Sequence, residues 1–171
     1  MMRHAINHAV RGATILEAVF AGAIMALFMG GLFQMNARNL QLLKSGKESF
    51  AATIVLEERL EQLRSGKWID ITSPAFLQTI FANPPSSAHQ LSGVSEQISL
   101  SEYPAAAPAS APNTVTRSSA GGVTVTSSNE ALATKALVRA DLRVTWSGTP
   151  GGRTRVRELS TIIADRGLIT R

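Results

Sequence analysis

The chain has 171 residues, a net charge of +5 from 17 Lys+Arg against 12 Asp+Glu, and no cysteine. That length suits one ordinary domain. The missing cysteine excludes a disulfide framework, a zinc–thiolate site and thiol catalysis. Hydrophobic residues make up 44% and crowd the stretch before residue 44, so the core left for the rest is small and a deep enzymatic cleft is excluded. The basic residues are scattered and form no stripe with interleaved aromatics, so nucleic acid is not expected as the primary ligand.

Residues 1–12 are short, polar and basic, with Arg3 and Arg11. Ala13-Thr14-Ile15-Leu16-Glu17 follows, and from Ala18 to Ala37 twenty residues carry no charge. Twenty apolar residues in a helix cross a hydrocarbon layer of about 30 Å. The arginines ahead of the run predict a cytoplasmic N-terminal end, and Arg38 closes the run on the far side. Three readings compete. A cleaved secretory signal has a shorter apolar region and ends in a small-x-small site; Met35-Asn36-Ala37 supplies only a poor one. A plain single-pass anchor explains the length and has no use for Glu17, whose charge costs energy inside an apolar segment.

The third reading accounts for the whole pattern. Gly12-Ala13-Thr14-Ile15-Leu16-Glu17, behind a short basic leader and ahead of a long apolar helix, resembles the processing site of type IV pilins and type II secretion pseudopilins. Ala13 stands where Phe or Met is commoner in that family. The resemblance is specific over residues 9–40. It implies a leader, 1–12, that a prepilin peptidase removes by cutting between Gly12 and Ala13, with methylation of the new amino terminus of Ala13. Loss of Arg3 and Arg11 would lower the net charge by two. The helix 13–37 would first hold the chain in the inner membrane, in contact with membrane lipid and an inner-membrane assembly platform. It would later pack in a filament core against other pilin or pseudopilin subunits. Thr14, Ile15, Leu16 and Glu17 complete the recognition motif. An unpaired carboxylate is expensive to bury among apolar helices, so Glu17 is expected to meet the amino terminus of Ala13 of a neighbouring subunit and set the register; the alternative is a carboxylate reaching lipid headgroups. Gly22, Gly30 and Gly31 permit close helix packing, and the Gly30-Gly31 pair weakens the helix locally.

The helix is expected to continue through residues 38–66 as an amphipathic segment. Ala52, Leu56, Leu60 and Leu63 recur at helical spacing, Glu57, Glu58, Glu61 and Arg64 line other faces, Lys44 and Glu48 form an i,i+4 pair, and Ser65-Gly66 is the stop. From Ala13 to Arg64 such a helix would be roughly 78 Å long. Residues 67–171 then form a small β-rich head. Trp68-Ile71 suits a short extended piece, Pro74-Phe81 a short helix, and Asn83-Ser87 a turn. Val94, Glu96, Ile98 and Leu100 alternate with polar residues as in a strand. Residues 104–122, rich in Ala, Pro and Ser, suit a flexible loop. Val123-Thr126 predicts a brief strand and Asn129-Ala136 a turn of helix. Val138, Ala140, Leu142, Val144 and Trp146 alternate with Arg139, Asp141, Arg143 and Thr145, which predicts a strand with one wet face. A Gly-rich turn and a return strand, Arg153-Ile163, complete a hairpin. The apolar register shifts between Val156 and Leu159, which predicts a bulge. The hairpin resembles the C-terminal part of minor pilins and minor pseudopilins.

The expected fold class is therefore α+β, a pilin-like lollipop: a long N-terminal helix, membrane-spanning in its first half, packed on a small antiparallel sheet. No catalytic constellation stands out. His4 and His8 sit in the leader and His89 is alone in a polar loop. Asp70, Asp141 and Asp165 are too dispersed for calcium, so neither enzyme activity, metal nor cofactor is expected. Two functions follow. One is a minor pilin or pseudopilin in a filament, with its head in the periplasm and then at the cell surface. The other is a single-pass anchored periplasmic binding module that does not polymerise.

Overall fold

The structure, a computed structural model, describes residues 5–105 and 110–165, with side chains from residue 14 onward. Its elements confirm an α+β chain. Helix α1 runs Ala5–Ser65, followed by α2 (Trp68–Ile71), α3 (Pro74–Ala82), β1 (Ser92–Glu102), β2 (Asn113–Arg117), β3 (Val123–Ser127), β4 (Leu137–Gly148) and β5 (Arg153–Ala164). The chain divides into two compact units, Met1–Leu43 and Lys44–Arg171. The described residues of the first are all helical.

In the second unit all strand pairs are antiparallel and the order is β3-β2-β1-β4-β5. The alternation in β4 places Val138, Ala140, Leu142, Val144 and Trp146 on the buried face, and β1 adds Ile98 and Leu100 beside them. Against this face α1 lays Ala51, Ala52, Val55, Leu56 and Leu63, while α3 adds Leu77 and Phe81. Pro74 opens α3 at a position where its missing N–H costs nothing. Helix α1 ends at Ser65, and the next position, Gly66, has no room for a side chain. A Cβ on Gly66 would lie 2.7 Å from Ile71 Cγ2 and 2.8 Å from Phe76 Cζ.

Four local expectations are corrected. Trp68–Ile71 is a helical turn rather than an extended piece. Trp68 Nε1 donates to Ala133 O at 3.1 Å and Thr72 Oγ1 to Trp68 O at 3.0 Å, so tertiary anchoring overrides the β-branched composition. The stretch 104–122 contains β2, whose Val115 is wholly buried. No bulge interrupts β5: its register with β4 is unbroken from Gly148↔Arg153 to Leu137↔Ala164. Register shifts lie instead between β2 and β3 at Thr114 and Val115 and on β1 between Ser92 and Ser95, where Gly93 has φ +60°, a conformation that favours glycine. Finally, Glu48 does not simply pair with Lys44 but turns to the β4–β5 connection, as described below.

The crossover from β3 to β4 is held by one buried amide. Asn113 is fully buried; its Nδ2 donates to Thr72 O at 2.6 Å, and its Oδ1 accepts from Asn129 N. Asn129 caps the 3-10 turn Glu130–Thr134 by accepting from Ala131 N at 3.0 Å. The helical turn expected over 129–136 is thus present, with Leu132 buried beneath it.

Candidate functional site

The apolar half of α1 begins at the motif. The peptide bond between Gly12 and Ala13 lies within α1. Residues 1–4, and with them His4, lie outside the described residues, as do the side chains of 5–13; the leader and the Ala13 side chain fall there. Thr14, Ile15, Leu16 and Glu17 occupy one turn of helix and are all exposed. Ile15 is 67% exposed, and Leu27 further along reaches 78%. Every described residue from 14 to 43 is exposed, the whole uncharged run from Ala18 to Ala37 included. Such a surface belongs in lipid or among other apolar helices. The segment is long and apolar enough to cross a membrane. Glu17 takes part in none of the ion pairs among the described residues. Its carboxylate sits at one end of this surface, four residues after Ala13. Gly22, Gly30 and Gly31 have open space around them and leave the helix unbroken, as close packing by another helix requires.

Two polar sites in the second unit lie beyond what hydrophobic patterning alone predicts. The first is a buried ion cluster. Arg59, 1% exposed, faces the sheet in the middle of the apolar stripe. Its Nε donates to Glu96 Oε2 at 2.7 Å, Nη1 to Ile80 O at 2.7 Å and to Gln62 Oε1 at 2.9 Å, and Nη2 to Asn83 O at 2.8 Å. The guanidinium also lies 4.7 Å from the Phe81 ring centroid, a favourable cation–π distance. Glu96, equally buried, accepts a second guanidinium through Arg117 Nη1 at 3.1 Å. The cluster ties α1, α3, β1 and β2 together. It has no open face for a substrate, so its role is structural.

The second site fastens the start of the amphipathic half of α1. Glu48 accepts from Thr149 N at 2.9 Å and from Thr149 Oγ1 at 2.5 Å. Arg155 Nη1 donates to Ser45 Oγ at 2.6 Å and Nη2 to Thr149 O at 2.7 Å, and Arg157 Nη2 donates to Ser49 Oγ at 2.9 Å. Burial acts to raise the Glu48 pKa, but the Thr149 hydrogen bonds and the charges of Lys44 and Arg155 outweigh it and hold the carboxyl below its ordinary value. A depressed carboxylate pKa adds stability above the unfolded value of about 4.3 and loses it as pH falls through the folded one. Glu48→Gln is therefore expected to lower the urea midpoint at pH 7. The gap from the unmodified chain should close as the pH is taken below about 4. Fluorescence of Trp68 and Trp146, the two tryptophans, both in the sheet unit, reports the transition.

The outer face of β4 and β5 is wet, as its alternation implies. Arg139 pairs with Asp141 at 2.9 Å and Arg143 with Glu158 at 3.4 Å, all four side chains being at least 42% exposed. Ser160 Oγ donates to Asp141 Oδ1 at 2.6 Å. These residues satisfy one another. His89 Nδ1 lies 2.6 Å from Ser86 O. Among the described residues no group of three or more His, Cys, Asp or Glu is placed to hold a metal.

Comparison with known proteins returned no matching family model, no matching curated protein and no matching solved structure.

Proposed function

We propose that the chain is a structural subunit, a minor pilin or minor pseudopilin, of a type IV pilus or type II secretion-like filament. It is cut between Gly12 and Ala13 by a prepilin peptidase, kept in the inner membrane by the helix that follows, and assembled through that helix with its sheet unit on the periplasmic side. One observation carries the reading: a lone carboxylate, Glu17, stands exposed at the end of an exposed apolar helix surface, as the last residue of the hexapeptide that begins at Gly12. A simple anchor gains nothing from that charge. A helix destined to pack beside copies or relatives gains a register mark, because the amino terminus of Ala13 on a neighbour supplies the opposite charge, as a single buried polar group does in a coiled coil.

The reading is tested by the mass of the purified full-length product and by its fate in the filament. A chain beginning at Ala13 and N-methylated there, heavier by one CH2, is the expected product. A chain beginning at Met1, in cells with an active prepilin peptidase, or one beginning near Arg38, overturns the proposal in favour of an anchored binding module or a secreted head. Glu17→Ala is expected to be cut normally yet to be lost from sheared filaments. Its normal incorporation would remove the pairing role.

A further inference from the structure

Strand β5 stands at one end of the sheet and leaves a backbone edge open. Asp165 N donates to Ala136 O at 3.0 Å, one step beyond the Leu137↔Ala164 pair and in the same register. In an antiparallel ladder, hydrogen-bonded pairs alternate with pairs that are not bonded. The odd-numbered residues of β5 therefore turn their N–H and C=O groups to β4. Those of Thr154, Val156, Glu158, Ser160, Ile162 and Ala164 point out from the edge, and no strand pairs with them among the described residues. Such an edge invites another strand unless it is short, bulged, broken by proline or charged. Strand β5 has 12 residues, its register with β4 is unbroken, and it contains no proline. Val156 and Ile162 stand 43% and 49% exposed along it. Charge is the one device that remains. Arg153, Arg155 and Arg157 share a face of the strand. Neither Arg153 nor Arg157 takes part in an ion pair among the described residues.

We infer that this edge takes an extended, acidic segment of a different protein, added antiparallel as a sixth strand with carboxylates facing Arg153 and Arg157. Main-chain hydrogen bonds to the open groups hold such a strand, and side chains at alternate positions select it. The arginines then fall in the pairs that are not hydrogen-bonded, where facing Cα atoms are about 4.5 Å apart and cross-strand side chains come closest. On the other face of the incoming strand, apolar side chains would cover Val156 and Ile162. The same charges disfavour a second copy of β5. When two such edges pair antiparallel, only their even-numbered residues can bond, so even faces even and odd faces odd. Glu158 then never faces an arginine, and a second copy supplies no counter-charge. The stretches of this chain outside the described residues, 1–4, 106–109 and 166–171, contain no Asp or Glu, so they do not supply it either. The edge belongs to the sheet unit alone, and the inference stands apart from the filament reading. A contact that disfavours its own kind nevertheless suits a minor subunit, which must meet unlike neighbours.

The test uses full-length protein in detergent and a fluorescent synthetic peptide of alternating valine and glutamate, with binding read by anisotropy. Two further peptides carry N-methyl groups, one on its valine amides and the other on its glutamate amides. With the glutamates facing the arginines, the valine amides point at β5 and the glutamate amides point away. Methylation of the valines should therefore weaken binding about tenfold or more, and methylation of the glutamates should leave it nearly unchanged. Arg153→Glu/Arg157→Glu should also weaken the parent peptide about tenfold. A peptide with lysine in place of glutamate should prefer that variant to the unmodified chain. Val156→Pro removes one outward N–H while the bonds to β4 remain, and it should weaken the parent peptide too. Tryptophan fluorescence confirms that each variant keeps its fold, and the methylated peptides need no variant at all. Equal binding of the two methylated peptides would show charge attraction without a strand ladder and overturn the inference. So would undiminished binding to Arg153→Glu/Arg157→Glu, which would put the peptide elsewhere on the protein. Absence of binding up to about 1 mM parent peptide would overturn it as well. Dimers of the protein alone that Val156→Pro abolishes would make a second copy the occupant and overturn the choice of a different protein.

Discussion

Glu96→Leu is expected to destabilise the sheet unit by about 3–5 kcal/mol and to lower its thermal midpoint by about 10 °C or more. The size follows from what the substitution leaves behind rather than from the pair it removes. Glu96 is the single anion between two guanidinium groups. Arg59 is almost wholly buried and Arg117 has a side chain only 12% exposed. Without the carboxylate, Arg59 keeps Ile80 O, Asn83 O and Gln62 Oε1 but loses its counter-charge. Arg117, whose buried Nε already lacks a partner, loses its only side-chain hydrogen bond among the described residues. A buried cation without a partner carries most of its desolvation cost uncompensated. The double substitution Arg59→Met/Glu96→Leu removes the more deeply buried cation along with the anion and puts apolar volume in the same space, so its penalty is expected to fall short of the sum of the singles by about 1–3 kcal/mol. Urea unfolding of all four forms in detergent, followed by tryptophan fluorescence, measures the cycle. Additive penalties would mean that the cluster does not act as a unit.

That cluster also shows which part of the fold the sequence exposes and which part it hides. Strand β4 is plain in the sequence because five apolar residues alternate with charged or hydroxyl side chains over nine positions. The amphipathic half of α1 is equally plain from Ala52, Leu56, Leu60 and Leu63. The ion cluster left a trace in those same patterns. Glu96 stands between Val94 and Ile98 on the inward face of β1, and Arg59 falls three residues after Leu56 and four before Leu63. A charge at a core position on each of two elements calls for a partner, and here the two find each other.

Strand β2 had no such trace. Asn113–Arg117 offers one apolar residue, Val115, set in a stretch dominated by Ala, Pro and Ser. It is a strand because β1 and β3 pair with it on either side and because Asn113 is fixed from α2 and the crossover. These are long-range contacts that local composition does not encode. The misread bulge on β5 has a different cause. Arg155 and Arg157 share the core-side register with Leu159 and Ile163, because opposite them α1 presents Ser45 and Ser49 instead of apolar side chains. The pattern broke where the partner surface became polar, while the backbone ran on unchanged. The motif before the apolar helix differs from all of these. It was legible only as sequence, since the groups proposed to read it, a protease and a neighbouring amino terminus, belong to other molecules.

Gly12→Val is expected to leave the chain uncut, so that the purified product keeps residues 1–12, whereas Gly12→Ala is expected to be cut about fivefold more slowly than the unmodified chain. Under the proposed processing the two substitutions separate two physical demands on one position. The bond between residues 12 and 13 lies inside α1, only about two turns from its start at Ala5, and proteolysis requires that turn to open into an extended strand. Glycine makes the opening easier, because it is about 1 kcal/mol less favourable than alanine inside a helix. Alanine therefore lowers the open population by roughly the factor that this energy represents, while adding little bulk. Valine has a lower helix propensity than alanine, so helix stabilisation cannot account for a greater loss, and its branched side chain would have to enter the protease site at the residue before the cut. A pulse-chase in cells containing the prepilin peptidase, resolved by the mass difference between the full and trimmed chains, distinguishes these effects. If Gly12→Val were cut as fast as the unmodified chain, the side chain at this position would be irrelevant to the protease. If Gly12→Ala and Gly12→Val were slowed in proportion to helix propensity alone, unwinding of α1 would be the whole of the requirement and the proposed steric fit would have no part in it.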